Sequence, residues 1–143
     1  VADIALFEAA DFGLASVSSS GAVPSDTAAM WPVAPGQWLA YTETASPDWA
    51  ETLGEQLAGV ASVVDQSSAY AQWRITGADA RRLLQKGLSV DLSVMAPGAV
   101  LVSAIAHVGV IVHCAAPETM HVFVFRSFAA NFRDWLDASI AAL

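Results

Sequence analysis

The chain has 143 residues, which is the span of one compact domain. Six Lys and Arg stand against fourteen Asp and Glu, and the net charge of −8 argues against nucleic-acid binding and against an anionic-membrane anchor, since both need concentrated basic surface. Apolar residues reach 55% while charged ones make up only 14%, a composition short of solvent-facing side chains and suited to a surface partly covered by other protein.

At the amino terminus, Ala5-Leu6-Phe7-Glu8-Ala9-Ala10 reads as a short helix. A stretch rich in Ser, Ala, Gly and Pro follows, so residues 1–34 are expected to form an extended or partner-ordered arm. Phe7, Phe12, Met30 and Trp31 have no use in a solvated linker and are expected to contact a partner. Residues 35–143 are expected to form one α+β domain. Gln37–Thr42 reads as a strand. Ser46-Pro47-Asp48 reads as a helix start with Ser46 as cap and Pro47 at the first helical position. Trp49, Leu53 and Leu57 share a face of that helix, which Gly59 can stop. Ala61–Asp65 and Tyr70–Ile75 read as strands, the second with Ala71, Trp73 and Ile75 on one face. Thr76-Gly77-Ala78-Asp79 has the spacing of a capping box before a helix that ends at Gly87. Three strands then follow, Val100–Ile105, Val108–His113 and His121–Phe125. A tight hairpin is expected at Ala106-His107 and a longer connection over Cys114–Glu118. A last helix is expected, capped by Ser127 and presenting Phe132, Trp135 and Leu136. The order β-α-β-β-α-β-β-β-α predicts an antiparallel or mixed sheet with helices packed on it.

No phosphate-binding glycine loop, HExxH or GxSxG occurs. His107, His113, Cys114 and His121 have ligand chemistry suited to zinc but not the spacing of a short-loop site, and adjacent strand residues His113 and Cys114 should point to opposite faces. The expectation is no metal, no cofactor and no catalytic residue in this chain. Cys114 is the one cysteine, which excludes an intrachain disulfide and fits a reducing, cytoplasmic compartment. No apolar run nears the ~20 residues of a membrane helix, and no secretory leader is expected. Residues 1–73 hold nine carboxylates and no Lys or Arg, so this half should face basic surface on a partner. Arg81, Arg82 and Lys86 gather three of the six basic charges on one short helix, either as a solvated, internally paired face or as a dock for an acidic partner.

The segment Trp73-Arg74-Ile75-Thr76-Gly77-Ala78-Asp79-Ala80-Arg81-Arg82-Leu83-Leu84-Gln85-Lys86-Gly87-Leu88-Ser89-Val90-Asp91-Leu92 resembles the gamma subunit of heterotetrameric sarcosine oxidases, a family related to the folate-binding domain of the glycine-cleavage aminomethyltransferase. Pro97-Gly98, the hairpin from Val100 to His113, Arg126-Ser127-Phe128-Ala129 and Trp135-Leu136 extend the resemblance over about residues 70–143. The resemblance implies an α+β fold like that folate-binding domain. It also implies a non-catalytic accessory subunit of a flavoprotein that oxidatively demethylates sarcosine or a similar N-methyl amine. FAD, FMN, NAD and folate would then belong to the large partner subunits. A small folate-binding protein and an unrelated α+β interaction domain are the alternative readings.

Overall fold

The computed structural model describes residues 2–23 and 28–143. Every strand pairing in it is antiparallel, within two sheets. The chain divides into a unit of Val1–Ala9 with Tyr70–Leu143 and a unit of Ala10–Ala69 inserted after the first strand.

The first unit holds β1 (Ala5–Ala9), then β6 (Tyr70–Thr76), α2 (Ala80–Gln85), β7 (Val100–Ile105), β8 (Val108–Ala116), β9 (Thr119–Phe125) and α3 (Ala129–Ala141). Its five strands run in the order β1-β6-β9-β8-β7. One face is built for the helices. Ala71, Trp73 and Ile75 of β6, Met120, Val122 and Val124 of β9, and Val110, Val112 and Cys114 of β8 alternate along their strands. They bury themselves against Leu83 and Leu84 of α2 and Phe132 and Leu136 of α3. The guanidinium of Arg133 caps this core from outside, 5.3 Å from the centre of the Trp73 ring.

The second unit holds β2 (Gly13–Ser19), β3 (Ala29–Ala34), β4 (Gln37–Thr42), α1 (Trp49–Gln56) and β5 (Ala61–Asp65), with the sheet order β3-β4-β2-β5. Ala15 and Val17 of β2 and Ala40 of β4 form a floor of small side chains for Leu53 and Leu57. Gly13 lets the Trp49 ring approach the strand, where an added Cβ would lie 2.6 Å from a ring carbon. Trp31 stacks on Tyr41 with ring centres 4.8 Å apart.

The α+β class and the β-α-β-β-α-β-β-β-α order after residue 35 agree with the sequence pattern, as do Gln37–Thr42, Ala61–Asp65 and the Val100–Ile105 hairpin strand. Ala106 and His107 adopt φ of 50° and 67°, the left-handed geometry a two-residue hairpin turn requires. Several local expectations are overturned. Ala5–Ala9 is a strand paired with β6, because so short a run cannot nucleate an isolated helix and the sheet supplies its hydrogen bonds. The expected arm of residues 1–34 instead contributes β1, β2 and β3, and the division of the chain falls at residues 9–10 and 69–70 rather than at Pro35. Small residues form core here: Ala15 carries little apolar area, yet it is fully buried beneath a helix. Residues 24–27 of that expected arm lie outside the described residues.

The caps also differ. Asp48, accepting from the Ser46 hydroxyl at 2.9 Å, holds the N-cap position of α1, and Phe128 holds that of α3 after a 3-10 turn at Arg126–Phe128. The Thr76–Asp79 capping box is absent. Asp79 uses its carboxylate to accept from the Asp3 N–H at 2.8 Å, while the Asp3 carboxylate accepts from Ala78 N–H at 3.0 Å. The connection expected over Cys114–Glu118 shrinks, because β8 continues to Ala116 with an irregular register beside Cys114.

Candidate functional site

Two groupings of chemically capable side chains lie on the first unit. On the helix-bearing side, α2 projects Arg81 and Gln85, four residues apart and so on one face. Arg81 donates from Nε to the Pro117 carbonyl at 3.0 Å, from one terminal nitrogen to the Leu92 carbonyl, and from the other to Cys114 Sγ at 3.2 Å. Gln85 Nε2 donates to the carbonyls of Leu88 (3.0 Å) and Val90 (2.7 Å), and its Oε1 accepts from Leu92 N–H at 2.7 Å. Asp91 accepts from Ser93 N–H and Oγ and starts the 3-10 turn Leu92–Val94. These bonds lower its carboxyl below the usual range. The stretch that carries the family resemblance is thus a clamp. Two side chains of α2 hold the irregular segment 88–92 down so that Leu88 and Leu92 enter the core.

The three helix cations therefore have different fates. Arg81 spends its donors on acceptors within this chain. Arg82 is exposed and pairs loosely with Asp79 at 3.6 Å. Lys86 reaches the Ala142 carbonyl at 3.5 Å from an exposed position. Among the apolar candidates, Phe12 and Trp31 are each only 4% exposed, buried by this chain's own residues. Met30 is half-buried and Phe7 is 60% exposed.

On the other face, strand register lines up Phe7 of β1, Arg74 of β6, His121 of β9 and His113 of β8 in one row. The Arg74 guanidinium lies 5.9 Å from the Phe7 ring centre, and the two imidazole centres are 5.5 Å apart. Cys114 points to the opposite face and His107 is exposed at the hairpin tip, so the four His and Cys residues do not converge. Among the described residues, no three His, Cys, Asp or Glu side chains are placed to hold a metal ion. Burial, then His113, then Arg74 push the His121 imidazole down to about 4, and burial lowers His113 as well. His121 is therefore neutral when folded, while the unfolded chain takes up its proton near 6.5. The unfolded state binds more protons in between, so stability should fall as pH drops from about 6.5 toward about 4. Urea midpoints across that window should show a steeper loss for the native chain than for His121→Gln. Parallel curves would remove His121 as the cause.

The family described as "SoxG: Sarcosine oxidase, gamma subunit family" matches residues 3–142. Among curated proteins, none matches this sequence. The heterotetrameric sarcosine oxidase from Corynebacterium sp. U-96, solved in complex with pyrrole 2-carboxylate, has a chain similar in fold with TM-score 0.82. That similarity covers 97% of this chain and 84% of that one at 17% identity. The regulatory subunit of aspartate kinase from Thermus thermophilus, in its ligand-free form, is a looser likeness, with TM-score 0.51 at 15% identity over 97% of both chains. At such identities the likeness is one of fold.

Proposed function

This chain belongs to the sarcosine oxidase gamma subunit family, and from that premise we propose that it is a non-catalytic accessory subunit of a heteromeric flavoprotein oxidase or dehydrogenase. The observation that carries this reading is the extent of the family match, residues 3–142, which embraces both units rather than one motif. The substrate of the complex, on this reading, is sarcosine or a similar N-methyl amine. FAD, FMN, NAD and folate lie with the larger subunits. The local chemistry is compatible: Arg81, Gln85 and Cys114, the most reactive or most strongly donating groups around α2, serve the fold. No helix among the described residues is long and apolar enough to cross a membrane.

Several apolar side chains of the first unit remain in water. Phe7, Val94, Val102 and Phe125 are 60%, 78%, 60% and 48% exposed. Each large apolar side chain left exposed forgoes about 1.5–3 kcal/mol of burial, which a covering subunit recovers. Purification of the tagged chain from its source organism tests the reading. Larger subunits should travel with it in fixed ratio, with a flavin spectrum and oxidation of an N-methyl amine by the assembly. Isolation of the chain alone, or with partners free of flavin, would overturn it.

A further inference from the structure

We draw no further inference here: the strongest candidate, the apolar hollow at Gly109 on the five-stranded sheet, lined by Tyr70, Val102, Ile111 and Phe125, carries nothing because nothing in the structure shows what covers it.

Discussion

Gly77→Ala is expected to lower the unfolding free energy by about 3 kcal/mol. Two penalties coincide at this position. Its φ of +121° lies where residues with a side chain are strained, and a Cβ there would collide with the backbone carbonyl of Asp3. The obstacle is main chain, so no side-chain rotation relieves it. Retreat of Asp3 would break its bonds to Ala78 N–H and Asp79 N–H, at 3.0 and 3.1 Å, and pull β1 from its pairing with β6. Urea titration measures the loss, and hydrogen exchange should show Ala5–Ala9 releasing first. Gly98→Ala supplies the control. Gly98 also has positive φ, +91°, but an added Cβ meets nothing within 4 Å. That variant should lose only the conformational share, about 1 kcal/mol. Equal losses for the two would show that the close approach of Asp3 costs nothing.

Arg81→Ala should cost about 3 kcal/mol as well. Hydrogen bonds from charged donors contribute about 1.5–3 kcal/mol each, and Arg81 makes one to Pro117, one to Leu92 and one to the buried thiol of Cys114. Its removal leaves the Leu92 carbonyl and the Cys114 sulfur without this donor and frees one side of the 88–92 clamp. Lysine cannot substitute, since a single ammonium lacks the planar fork that reaches three acceptors in different directions. Arg81→Lys should therefore recover less than half of the loss. Arg82→Ala, next in sequence but exposed and held only by a loose surface pair, should change stability by under about 0.5 kcal/mol. A denaturant midpoint that moves equally in Arg81→Ala and Arg82→Ala would mean that the clamp has no energetic role.

The contrast between these neighbouring arginines marks the limit of what residue order conveys. As a sequence, Arg81-Arg82 with Lys86 is a cationic helix face open to two readings. The structure separates them because Arg81 alone points toward the carbonyls of Leu92 and Pro117, and no local rule specifies that 11- and 36-residue reach. The same holds for the capping of α2. Thr76 and Asp79 have the right spacing for a box, but Asp79 finds a better donor in Asp3, 76 residues earlier. Phe12 and Trp31 stand among small and polar neighbours in the sequence, a setting that by itself offers them no core. They are buried because those small residues belong to sheets.

By itself, the sequence determined the α+β class, the element order after residue 35, the hairpin at Ala106-His107 and the family resemblance. Each of these rests on signals local to a few residues: alternation of apolar side chains, helical spacing, turn chemistry, and the run from Trp73 to Leu92. Tertiary structure alone decided that residues 5–9 and 13–19 are sheet strands, that the chain divides into two units with one inserted in the other, and that Arg81 and Gln85 act as a clamp. Those outcomes depend on pairing between segments far apart in sequence, where a ladder of backbone bonds and a buried face outweigh the weak local preferences of Ala, Ser and Gly.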